Sequence, residues 1–91
     1  MKYVVFYESA DDLATKAPAH FAAHSARYKE YVERGELLMI GPFSNPQEEG
    51  SMAVFTTRAA AEDFVAGDPF VLYGVVKSWH IQEWNEALVP S

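Results

Sequence analysis

Apolar residues follow two rhythms along this chain. Tyr3 to Tyr7 is β-branched or aromatic at every position, so it reads as a strand apolar on both faces. Ser9-Ala10-Asp11-Asp12 is a polar break. From Ala17 to Arg34 the larger apolar or amphipathic residues fall at 17, 21, 24, 28, 31 and 32. That spacing of threes and fours is one stripe of an amphipathic helix. Pro18 suits its first turn and Gly35 its stop position. Arg27, Lys29, Glu30, Glu33 and Arg34 fall on the wetter side.

Leu37-Leu38-Met39-Ile40 reads as a second strand, closed by Gly41-Pro42. Phe43 to Gly50, with Asn45-Pro46 and Glu48-Glu49-Gly50, is a polar loop longer than a tight turn. Ser51 to Thr56 is a third strand. Thr57 caps a short helix, Arg58 to Ala66, buried through Ala61, Phe64 and Val65. Gly67-Asp68-Pro69 ends it, because a residue before proline is pushed out of helical dihedrals. Tyr73 to Trp84 is the last strand, with Val75, Trp79 and Ile81 on one side and Val76, His80 and Trp84 on the other. Residues 85–91 read as a C-terminal arm on a single domain with its core over 1–84.

The order β-α-β-β-α-β, with right-handed crossovers in both halves, predicts an α+β fold: a ferredoxin-like antiparallel sheet with two helices on one face. The other face is left bare, although the first two strands are apolar on both sides. Two sheets packed face to face in a homodimer would cover it.

Composition narrows the function classes. The chain has 91 residues, no cysteine, and 7 basic against 13 acidic side chains, a formal net charge of −6. Without cysteine there is no disulfide scaffold, thiolate nucleophile or iron–sulfur cluster. Scattered Lys and Arg form no basic stripe, which argues against nucleic acid and anionic membranes as partners. No segment approaches the roughly 20 apolar residues of a membrane span, and the N-terminus lacks a signal-peptide pattern. The expected location is cytoplasmic.

His24 lies on the apolar helix stripe with Phe21, Tyr28 and Tyr31. A histidine there is ordinarily a core residue tied to a carbonyl; the alternative is a general acid/base. Asp68, before Pro69, ordinarily bonds its own backbone in a turn. Facing an imidazole, it would instead orient the ring and stabilise the imidazolium. His20 and His24, four apart, could share a helix face and hold a metal, but His80 is the only other histidine and no glutamate follows His20. No metal site and no cofactor are expected. The aromatics, Tyr7 among them, read as core and interface. The glycines form no phosphate-cradling pattern.

The run His24-Ser25-Ala26-Arg27-Tyr28 … Gly35-Glu36-Leu37-Leu38 … Gly41-Pro42, then Gly50-Ser51-Met52, Asp68-Pro69-Phe70 … Gly74-Val75 and Ile81-Gln82-Glu83-Trp84 resembles the YciI-like (YCII-related) domain family. The resemblance spans about Met1 to Trp84. It implies the fold of the dimeric α+β barrels, which agrees with the bare sheet face. It also implies an active-site pair, a helix histidine and the aspartate of the Asp-Pro motif, carried here by His24 and Asp68. Elimination of chloride from chlorinated hydroxylated aromatics is associated with part of the family. Many members carry Arg-Pro-Ala-His before this helix; here Phe21-Ala22-Ala23 precede His24, and Pro18-Ala19-His20 lies one turn earlier.

Two functions follow as expectations. One is a cofactor-independent lyase or isomerase, dehydrochlorinase-like on hydroxylated cyclic compounds. In it His24 shuttles a proton and Asp68 orients it, both in one solvent-reachable hollow between the first helix and the sheet. The other is a non-catalytic homo-oligomer that binds a small metabolite, or an accessory protein, with His24–Asp68 a structural hydrogen bond.

Overall fold

β1 runs over Lys2–Ser9 and enters α1, Leu13–Glu33, which leads to β2 at Leu37–Pro42. Then come α2 (Pro46–Glu49), β3 (Ser51–Phe55), α3 (Arg58–Gly67), α4 (Pro69–Leu72) and β4 (Val76–Trp84). These are the elements of a computed structural model that describes residues 1–87. The expected C-terminal arm lies outside the described residues from position 88 onward.

The sheet order is β2-β3-β1-β4 with every neighbouring pair antiparallel, the ferredoxin-like arrangement expected. Tyr7 in central β1 pairs with Ser51 on one side and Trp79 on the other. One face carries Val5, Tyr7, Ala53, Phe55 and Leu37, which join Tyr31 of α1 and Ala61, Phe64 and Val65 of α3 in a single core. At its centre the rings of Tyr31, Phe55 and Phe64 meet pairwise at 5.2–6.3 Å. Edge-to-face contacts of this kind add to the burial itself. The opposite face carries Val4, Phe6, Met39, Met52 and Val54; among the described residues no helix packs on it, although Val4 and Val54 are buried.

Several boundaries differ from expectation. α1 starts four residues before Ala17, so Pro18 sits in its second turn rather than its first. Gly35, at φ +74°, ends the helix as expected, and Glu36 N–H reaches back to the Tyr31 carbonyl at 3.0 Å. The loop before β3 contains the short helix α2, capped by Asn45. Asp68-Pro69 both ends α3 and starts α4, since proline is suited to a first helical position.

The expected sides of β4 also need correction. Glu8 pairs with Ser78 but Ser9 pairs with Val76, so Lys77 is an extra residue, a β-bulge. A bulge shifts the alternation of side chains. Val76 therefore joins the helix-side core, while His80 stacks on Phe6 across the open face at 5.0 Å.

Candidate active site

His24 and Asp68, 44 positions apart, are brought into contact. His24 comes from the middle of α1 and Asp68 from the junction of α3 and α4. His24 Nδ1 lies 2.7 Å from Asp68 Oδ1. Asp68 also accepts a hydrogen bond from the Tyr7 hydroxyl on Oδ2 at 2.6 Å and from the Phe70 backbone N–H on Oδ1 at 3.1 Å. The carboxylate has 0% exposure. Its acceptor sites are thus filled by side chains from a helix and a strand and by the backbone of α4. A buried carboxylate is tolerable only when its lone pairs are satisfied in this way.

The ordinary turn role expected of Asp68 is met, and the expected contact between Asp68 and the imidazole is present as well. Asp68 caps its own turn through Phe70 N–H and faces the imidazole as well. His24 is buried, but its partner is a carboxylate rather than a carbonyl. With Asp68 accepting, the shared proton sits on Nδ1, and the lone pair of His24 is on Nε2. The imidazole is held in plane by Phe70, whose ring stacks on it at 3.9 Å and 3°.

Tyr7, read from sequence as packing material, is the third member of the cluster. Its phenol is pushed well above the usual tyrosine range, first by burial and then by the adjacent Asp68 charge. It therefore acts as a fixed donor. The general signal available was that a buried tyrosine hydroxyl requires a partner; the identity of that partner, 61 positions away, was not.

Arg27, one turn beyond His24, is half-buried. Its guanidinium donates to the carbonyls of Phe64 at 3.2 Å and Asp63 at 2.8 Å, in the last turn of α3. It thereby braces α1 against the helix that delivers Asp68. A cation at a helix C-terminus also meets the negative end of the macrodipole.

A cavity of about 340 Å³ opens between α1, the helix-facing side of the sheet and α2. His24 lines it together with Phe21, Tyr28, Ile40, Ala53 and Phe70, and its lining contains no Asp, Glu, Lys or Arg. His24 and Asp68 do not share this hollow, as had been expected. Asp68 is sealed behind the imidazole, and only His24 meets the cavity. Nε2 makes no hydrogen bond to the described residues and is not a fully buried unpaired atom, so it is the ring's open nitrogen.

The other histidines lie elsewhere. His20 stacks on Tyr73 at 4.5 Å, and His80 is on the far sheet face. Among the described residues no three His, Cys, Asp or Glu side chains are grouped to hold a metal ion. Among the described residues no helix is long and apolar enough to cross a membrane.

An α+β sheet-and-helix unit with a carboxylate-backed imidazole over an apolar cavity is the class of protein defined here. The chain belongs to the YCII-related domain family, whose sequence profile matches residues 1–85. It is 34% identical over 85 residues to an uncharacterised protein of Haemophilus influenzae (strain ATCC 51907 / DSM 11121 / KW20 / Rd), covering 82% of this chain and 87% of that one. Its fold is similar to that of 5-chloro-2-hydroxyhydroquinone dehydrochlorinase from Burkholderia phenoliruptrix AC1100, solved in complex with 2,5-dihydroxybenzoquinone. That match has a TM-score of 0.77 and 17% identity, and covers 96% of both chains.

Proposed function

We propose that this protein is an acid–base enzyme of the lyase or isomerase type acting on a small hydroxylated cyclic compound, with elimination of chloride as its model reaction. The observation that carries the reading is the His24 imidazole, bonded to Asp68 at 2.7 Å through Nδ1 and open to an apolar cavity through Nε2. The ring first ketonises: a proton passes from one hydroxyl to the chlorine-bearing carbon, that hydroxyl becomes a C=O bond, and the carbon becomes tetrahedral. Nε2 then takes the proton of a second hydroxyl, whose O–H pair becomes a C=O bond. The enol double bond moves one place toward the tetrahedral carbon, and chloride leaves it with its bonding pair. One proton and one chloride are lost, and no redox partner is required. Asp68 keeps the imidazole in the needed tautomer and balances the imidazolium charge.

The similarity in fold to a dehydrochlorinase supports this substrate class, as does the cavity's aromatic wall. General acid–base help of this kind is worth about 10²–10⁴-fold in rate. The test is chloride release from 5-chloro-2-hydroxyhydroquinone by the wild-type chain and by His24→Gln. The expected result is turnover by the former and a loss of about 10²-fold or more in the latter. Unchanged turnover in a folded His24→Gln protein would overturn the assignment.

A second reading is favoured by one observation, the complete burial of Asp68: the pair simply fastens α1 to the α3–α4 junction in a metabolite-binding protein. It predicts ligand binding without turnover in the same assay. In either case the working form is proposed to be a homodimer paired through the open sheet face.

A further inference from the structure

Besides His24, four hydroxyl-bearing residues line the cavity: Tyr7, Ser9, Tyr28 and Ser51. Tyr28 lies four residues further along α1, on the same face. The two rings meet edge to face, with centroids 5.3 Å apart and planes at 77°. Tyr28 is half-buried and lines the cavity. Of the chain's five tyrosines, Tyr7 donates to Asp68, Tyr31 to Asp63 and Tyr3 to the Met1 sulfur. Tyr73 is 60% exposed. Among them Tyr28 alone combines partial burial with a hydroxyl bonded to none of the described residues, and that oxygen is not fully buried. A partly buried tyrosine normally finds a partner for its hydroxyl.

We propose that Tyr28 is a second catalytic residue, whose hydroxyl donates a hydrogen bond to the ligand oxygen on which negative charge gathers when His24 removes a proton. The inference rests on the acid–base reading above and adds to it the group that stabilises the oxyanion. The chemistry calls for such a donor. Taking a proton from an enol or from carbon next to a carbonyl leaves charge on oxygen, and an apolar cavity solvates that charge poorly. A donor fixed in advance on a helix is worth more there than in water. With no Lys or Arg in the lining, a neutral hydroxyl is the chemistry available. The ring contact with His24 puts the two side chains side by side on one wall of the cavity. Tyr7 cannot take this part, because its proton is committed to Asp68.

The experiment uses 2,5-dihydroxybenzoquinone as probe, titrated into wild-type, Tyr28→Phe and His24→Gln proteins and followed by its visible absorption, together with the chloride-release assay. Tyr28→Phe keeps the ring and its packing and removes one oxygen that bonds to no protein atom among the described residues, so its melting temperature should match the wild type. The expected result is probe affinity weakened about 10- to 100-fold, since the lost bond is to a charged oxygen. kcat should fall by at least about 10-fold. In tyrosine-labelled wild-type protein, the Tyr28 ring carbon attached to oxygen should shift on adding probe, a readout that needs no variant. A purely structural Tyr28 would move none of these. Probe binding with unchanged affinity and kcat in Tyr28→Phe would overturn this assignment while leaving His24 standing. No probe binding and no turnover by the wild type would overturn both.

Discussion

Three donors converge on the sealed carboxylate of Asp68, and each has a different consequence when removed. Tyr7→Phe deletes one bond to a buried charged acceptor, which costs about 1–3 kcal/mol by chemical denaturation. It also changes the pH profile. The unfolded phenol titrates near about 10, whereas burial and the Asp68 charge raise the folded one above that. The stabilisation is therefore complete below the unfolded value and declines as pH rises beyond it, because only the unfolded chain releases its proton. Tyr7→Phe should lose this part of the alkaline decline, and an unaltered decline would refute the coupling. His24→Ala leaves one oxygen of the sealed carboxylate without its side-chain donor and should cost about 1–3 kcal/mol. Stability alone therefore cannot separate a catalytic His24 from a structural one, as a histidine in an open cleft would have allowed; activity in a folded His24→Gln protein does. His24 stood out in the sequence as an imidazole on an apolar stripe, whereas Asp68 is ordinary before proline and was paired with it through the family resemblance. Tyr7 did not stand out, since a tyrosine in a strand is ordinary until its hydroxyl's partner is known.

At the scale of elements, the cavity's shape depends on Gly50, where α2 joins β3. Its backbone sits at φ +76° and ψ −147°, a region essentially reserved for glycine. A Cβ there would lie 1.9 Å from the Tyr7 carbonyl oxygen. Ser9 Oγ bonds the Pro46 carbonyl at 2.6 Å and Gln47 bonds the Ala10 carbonyl at 2.8 Å, so α2 is held against the same end of β1. Gly50→Ala must push β1 and β3 apart at the residue that supports Asp68. The expected loss is about 3 kcal/mol or more, read as a fall in Tm of more than about 10 °C in a domain of this size. A Tm within a few degrees of wild type would show that the strands yield without cost. The long elements were legible because their periodicity extends over many residues. α2, α4 and the bulge at Lys77 were not. Each is a departure of a few residues that depends on cap bonds or on the partner strand, and local pattern is silent about those.

Among the described residues no helix lies over the second face of the sheet. Val4, Phe6, Met39, Met52, Val54 and Trp84 share it; Val4 and Val54 on the central strands are buried, while Met39 and Trp84 on the edge strands are 59% and 45% exposed. The homodimer proposed above would cover the exposed edge residues with a second copy of the same face, related by two-fold symmetry. The apolar character of this face was readable from strands apolar on both sides, since alternation toward water was missing. Charge acts against such a pairing. Each copy carries −6, so association brings −12 together, and added salt should tighten the dimer by screening this repulsion. Light scattering at tens of micromolar protein is expected to give about twice 10.2 kDa. Met39→Glu and Trp84→Glu place acids on exposed positions of the face, which the monomer fold tolerates while the dry interface does not. The double variant should run at the monomer mass with its secondary structure intact. A monomeric wild-type chain under these conditions, at high as well as low salt, would refute face-to-face pairing. The cavity lies on the other side of the sheet, so the His24–Asp68 geometry would stand independently of that result.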